Sequence, residues 1–250
     1  MESRANPVSP SLEGSPGGSF AQRFAGIFFS PTEAFRTILR APDILPPLIV
    51  LVAVSVAAWE AVLRKIGIAQ LVRASLEQSG RAKTMTPEQI QQAVSQSARF
   101  LPIVYRVVAL VGVPIFLLII ALIGLAILKA IFGQQLTFKV AYSITTYAEL
   151  PAVIAGLLGI LVVLFGDPTT FNPTNPAPTN LGFFLSPEGM SKPLYTAASS
   201  VNPFSLWFMA LLGIGFSEAV GRKVRARTIF LCFFSLWVLW VLLRMGLAAI

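Results

Sequence analysis

The chain contains no histidine and a single cysteine, Cys232. Without histidine there is no imidazole general base, and zinc, haem and iron–sulfur ligation lose their usual donors. One cysteine closes no intramolecular disulfide, so cysteine usage says nothing about redox compartment. Cys232 falls inside an apolar run, where a free thiol behaves as a small hydrophobe. Charge is also scarce. Only 12% of the 250 residues are Asp, Glu, Lys or Arg, against ~25% in soluble domains. Apolar residues fill the gap, at 55% of the chain and a mean hydropathy of +0.75. The donor set therefore points to no cofactor and no metal.

The apolar residues gather into five runs: Ile44–Leu63, Val107–Leu128, Tyr142–Phe165, Phe204–Val220 and Thr228–Ile250. A hydrocarbon core ~30 Å thick takes about 20 helical residues to cross. In lipid each backbone N–H and C=O must be satisfied within the segment, so such runs are helices. The expected fold is an all-α, polytopic membrane bundle with five transmembrane helices. The first 43 residues are too polar and too long for the n-region of a cleavable signal, so Ile44–Leu63 should remain as a span. The net charge of +8 is spread among apolar helices with no aromatic-interleaved patch. That pattern excludes nucleic acid and suits span orientation and contact with anionic lipid.

Three segments follow. Met1–Ser19, rich in Ser, Pro and Gly, should form a disordered tail. Residues 20–43 should form amphipathic interfacial helices, lying in the membrane interface or on the protein's own cytoplasmic face. Phe20, Phe24, Ile27 and Phe28 follow helical spacing, and Ser30-Pro31-Thr32-Glu33 reads as a capping box before a second helix with Ala34, Phe35, Ile38 and Leu39 on its apolar side. Residues 44–250 form the five-helix domain. Thr86-Pro87-Glu88-Gln89 reads as another capping box, opening a polar helix that continues into the second span with a kink near Pro102. Gly166–Asn202, dense in Pro and Asn, shows no helical periodicity. The basic residues divide almost evenly between the two sides of the membrane. The densest group is the short link Arg222-Lys223-Val224-Arg225-Ala226-Arg227, which places the N-terminus inside and the C-terminus outside.

Charges in or beside the spans are expensive and mark partners or sites. Glu60 and Arg106 lie near the outer boundary of adjacent spans, placed either to pair or to snorkel separately. Glu149 shares a helical face with Tyr142, Thr145 and Thr146, and that face continues into Ala152 and Gly156. In the fourth span Gly213, Ser217 and Gly221 repeat every fourth residue beside Glu218, which predicts close packing of the third and fourth spans there. Glu149 and Glu218 are either packing groups or the lining of a proton or solute pocket. Gly215-Phe216-Ser217-Glu218-Ala219 lacks the last glycine and the histidine of a serine nucleophile elbow, so it is not one.

Several local patterns occur in one order. F-F-S-P-T-E-A-F (Phe28–Phe35) precedes the first span. A Y-x-x-x-x-Y-x-x-x-P pattern runs from Tyr142 to Pro151. Asn202-Pro203-Phe204-Ser205-Leu206-Trp207 and then Gly213-x-Gly215 lead to the basic link and the final span. In this combination the chain, from about Ser19 to Ile250, resembles the Yip family of Ypt/Rab-interacting five-span membrane proteins in its prokaryotic form. The resemblance implies a multi-pass protein of a prokaryotic inner membrane with N-terminus cytoplasmic and C-terminus outside. Eukaryotic members act in membrane traffic with small GTPases; this chain has only 43 residues before the first span in place of their long N-terminal region. The expected function is non-enzymatic: organising membrane, or recruiting protein partners or a second copy, through the amphipathic N-terminus and the loop of Arg222, Lys223, Arg225 and Arg227. The alternative is a small ion or solute transporter or channel using Glu149 and Glu218.

Overall fold

Prolines and left-handed glycines divide the chain into ten α-helices among the described residues. The structure, a computed structural model, describes residues 18–167, 172, 175, 177–185 and 189–249. Almost all of the expected disordered tail, and part of the Pro/Asn-rich segment, lie outside the described residues. Helix α1 (Phe20–Phe29) is opened by a reciprocal box in which Ser19 Oγ accepts from the Gln22 N–H and Gln22 Oε1 accepts from the Ser19 N–H. Helix α2 (Pro31–Arg40) starts without the expected side-chain cap. The Ser30 N–H instead closes α1 on the Gly26 carbonyl, and Glu33 pairs with Arg36 at 2.6 Å. The Thr86–Gln89 box does form, with bonds of 2.8 and 3.3 Å.

Helix α3 (Leu45–Lys65) is the first span, and α4 (Gly67–Gln78) folds back beside α5 (Pro87–Phe132). At 46 residues α5 is one helix through Pro102 and Pro114. It is about 70 Å long at ~1.5 Å per residue, more than twice the depth of a bilayer core, so its polar start projects. The Glu88 N–H and the Thr86 hydroxyl hold the Glu88 carboxyl below its usual range at that start. Gly133, at φ 63°, ends α5.

The third apolar run is not one helix. It is α6 (Phe138–Ala148) and α7 (Ala152–Phe165), bent by 42° at Glu149-Leu150-Pro151. Pro151 has no N–H to offer and drives Leu150 away from regular helix geometry. The Leu150 and Ala152 N–H groups close three-residue turns on the Tyr147 and Glu149 carbonyls. The segment Gly166–Asn202, read as irregular, contains α8 (Lys192–Ser200), which meets α9 (Pro203–Ala219) at 50°. Helix α10 (Ala226–Ala249) is the last. Among the described residues three helices are long and apolar enough to cross a membrane alone, and up to five spans result if each bent pair counts as one.

The main core joins α3, α5, α6, α9 and α10 with the N-terminal helices. Ile27, Phe35 and Ile38 are fully buried in it beside Leu117, Ile144, Tyr147, Leu212 and Phe216. The apolar faces of α1 and α2 therefore pack on the bundle. The lipid-side positions of α5 and α10, such as Ile119, Leu122, Leu239 and Trp240, stay exposed as a bilayer demands. A small separate cluster of Val62, Leu71 and Val163 lies at the opposite end, with Trp59 stacked on Tyr105 at 4.6 Å.

Candidate functional site

Asp43, just before the first span, is the hub of a polar knot at the end of the bundle that carries α1 and α2. Its Oδ1 accepts from Arg23 Nη1 and from the Tyr147 hydroxyl, both at 2.8 Å. Its carbonyl accepts from Ser143 Oγ at 2.7 Å. The Arg23 guanidinium lies 5.7 Å from the Tyr147 ring centroid, a cation–π approach. These contacts tie α1, the α2–α3 link and α6 together. Of these four only Tyr147 was singled out from sequence, as the second tyrosine of the Tyr142–Pro151 pattern, and without this role. A signal existed for two of them: Arg23 interrupts the apolar stripe of Phe20, Phe24 and Ile27, and Asp43 abuts the first apolar run.

A second clamp lies at the same end. Glu218 Oε2 accepts from Arg36 Nε at 3.1 Å, and Glu218 Oε1 from Arg222 Nε. The hydrogen bond and charge of Glu218 hold the Arg36 guanidinium above its ordinary value. Arg222 reaches back because the link turns tightly. Gly221 and Arg222 both have φ near 60°, the Arg222 N–H bonds the Ser217 carbonyl at 2.8 Å, and Ser217 Oγ donates to the Val224 carbonyl at 2.7 Å. Lys223, Arg225 and Arg227 are exposed around that turn. Thus the basic loop and α2 form one surface, joined through Glu218.

The small residues of α9 divide their contacts. Gly213 faces the Ala226 carbonyl and Phe230, so the Gly213–Ser217 stripe serves α10 and its link, not the third span. Gly215 is the residue that meets the third span: a Cβ there would stand 2.9 Å from a Phe35 ring carbon and closer still to Ile144.

The expected polar face of the third span is mostly satisfied within the protein. Thr145 and Thr146 donate to the Ala141 and Tyr142 carbonyls of their own helix, and the Tyr142 hydroxyl donates to the Pro114 carbonyl at 3.1 Å. Gly156 packs on Val54 of α3. Glu149 differs. Its carboxylate has no hydrogen-bond or ion-pair partner among the described residues, and it lines a cavity of about 190 Å³ between α3, α5 and α7. At the opposite end Glu60 is paired with Arg106 at 2.5 Å and with Arg64 at 3.6 Å. Among the described residues no three or more His, Cys, Asp or Glu side chains gather into a cluster of metal ligands.

What this geometry provides is a docked, charge-clamped N-terminal cap with a basic turn beside it, and one lone carboxylate at a broken span. Neither a search of curated proteins nor one of solved structures found a match to the chain. The family model described as the Yip1 domain matches residues 25–245, from within α1 to the last turns of α10. The chain is a multi-pass membrane protein and belongs to the Yip family.

Proposed function

We propose that the protein is a non-enzymatic Yip-type membrane protein that organises membrane or recruits partners at the end of the bundle formed by α1, α2 and the Arg222–Arg227 loop. That end faces the cytoplasm of a prokaryotic cell, with the C-terminus outside, as the charge cluster in the short link favours. The observation that carries this reading is the Arg36–Glu218–Arg222 clamp. It spends the acid of this surface internally and leaves Arg40, Lys223, Arg225 and Arg227 exposed beside Phe29, which is 86% exposed at the α1–α2 corner. The apolar faces of α1 and α2 are occupied by the bundle, so recruitment uses the outward, basic side of α2 and the loop.

Two measurements test this. Charge reversal at Lys223→Glu, Arg225→Glu and Arg227→Glu should leave the protein inserted and folded and remove partners cross-linked to a photoreactive residue at position 29 or 40. Undiminished cross-linking in the triple variant would refute the role of the loop. For orientation, Cys232→Ala is combined with Ala226→Cys or Thr179→Cys. An impermeant thiol reagent applied outside should modify position 179 and spare position 226; modification of 226 would overturn the topology.

A further inference from the structure

Three carboxylates at the ends of the spans are held by arginine: Asp43 by Arg23, Glu60 by Arg106 and Arg64, Glu218 by Arg36 and Arg222. Glu149 stands apart in three ways. Among the described residues it has no such partner. It sits where the two halves of a span diverge by 42°. It also lines a cavity of about 190 Å³. The α3 residues that line it, Leu51 to Ala58, occupy the middle of the Leu45–Lys65 span, so the cavity lies near the middle of the hydrocarbon core.

The chemistry of the cavity narrows what enters it. Its lining is aliphatic, from Leu51 and Val54 of α3 through Val113 of α5 to Ala152 and Gly156 of α7, apart from Glu149 and Ser55. No second titratable group lines it. A lone carboxylate at that depth calls for a counter-charge. Glu149 supplies a single negative charge, which matches a monovalent ion and would leave a divalent one with an uncompensated buried charge. The volume equals that of about six waters at ~30 Å³ each, enough for a small ion that keeps part of its hydration shell. Cation sites in membrane bundles are typically built at such broken helices near the midplane.

We propose that the Glu149 cavity is a binding site for a small monovalent cation, neutralised by the Glu149 carboxylate, with the Ser55 hydroxyl as second protein donor and retained water completing the shell. The site is independent of the recruiting surface at the end of the bundle.

Dicyclohexylcarbodiimide provides the test. This apolar reagent adds a carboxyl oxygen to its central carbon while the carboxyl proton passes to its nitrogen, and an occupying cation blocks that addition. The purified full-length protein in detergent is reacted in chloride salts of Na⁺, K⁺, NH₄⁺ or N-methylglucamine at one ionic strength and pH, and the adduct on the Glu149 peptide is followed by mass spectrometry. At least one of the three small cations should slow modification about fivefold or more, in a saturable way, relative to N-methylglucamine. Glu149→Gln should abolish the adduct. Ser55→Ala should raise the concentration for half-protection severalfold and leave the unprotected rate unchanged. A rate indifferent to all three cations would mean that the carboxyl holds only a proton, and would overturn the proposal. So would absence of any adduct at Glu149.

Discussion

The two ends of the bundle use the same chemistry, arginine on carboxylate, and differ in how far the arginine that holds Asp43 or Glu60 is withdrawn. At the α1–α2 end the Arg23–Asp43 pair has side chains 10% and 29% exposed and is braced by the Tyr147 hydroxyl. At the far end Arg106, which grips Glu60, is 57% exposed, and the second partner Arg64 is 84% exposed. The difference teaches that proximity of opposite charges is a poor measure of what an ion pair contributes. A withdrawn pair is costly to break because it leaves a charge stranded, whereas an exposed one exchanges partners with water. The near end is therefore a built joint, and the far end is a seam.

The largest effect should come from breaking the joint. Asp43→Ala removes the acceptor for Arg23 and Tyr147 and leaves a nearly buried guanidinium unpaired. We expect a loss of about 3 kcal/mol, the lower part of the range for broken buried pairs because Asp43 keeps some solvent contact. Thermal unfolding in detergent would register it, and α1 should become protease-sensitive before the spans do. Arg23→Ala should be milder than Asp43→Ala, because removing the arginine strands a carboxylate that water and Tyr147 still reach. Equal stability of wild type and Asp43→Ala would dissolve the distinction between the two ends.

The next effect tests whether the joint depends on close approach as well as charge. Gly215 is the point where α9 meets both Phe35 of α2 and Ile144 of α6. Gly215→Val forces two further methyl groups and a Cβ into that contact and should cost about 1–3 kcal/mol. The signature should be release of α2, read as faster amide exchange in Ala34–Ile38, with α10 unaffected. Gly213→Ala, by contrast, should disturb α10, because its neighbours are Ala226 and Phe230.

Much of this was legible in the sequence, for a physical reason. Lipid leaves a span few options, so run length and apolarity placed the first and last span helices within a few residues of Leu45–Lys65 and Ala226–Ala249, and Thr86-Pro87-Glu88-Gln89 marked the start of α5, twenty residues ahead of its apolar run. What escaped depended on tertiary partners. Ser30-Pro31-Thr32-Glu33 has the residues of a capping box, but Glu33 was claimed by Arg36 and the Ser30 N–H by Gly26. Pro151 was visible as a weak point in the third span, but its presence alone gave neither the 42° angle nor the packing of α7 on α3. The Gly213–Ser217 spacing announced a helix contact without saying which helix. Arg23 and Asp43 are twenty residues apart, and nothing local links them until α1 and α2 fold onto the bundle.

The smallest effect should be at the seam. Glu60→Gln keeps the size and the hydrogen-bonding reach of the side chain and removes its charge. Arg106 and Arg64 both extend to where water or lipid phosphate can replace the carboxylate, so neither is left stranded. The neighbouring apolar contacts, Trp59 on Tyr105 and Val62 against Leu71 and Val163, do not pass through the pair. The expected outcome is therefore no resolvable change in the unfolding midpoint, and loss of whatever small salt dependence that midpoint has. A drop as large as that of Asp43→Ala would show that the far end is also a joint, with the bilayer shielding Glu60 and Arg106 from the solvent that their exposed surfaces otherwise meet.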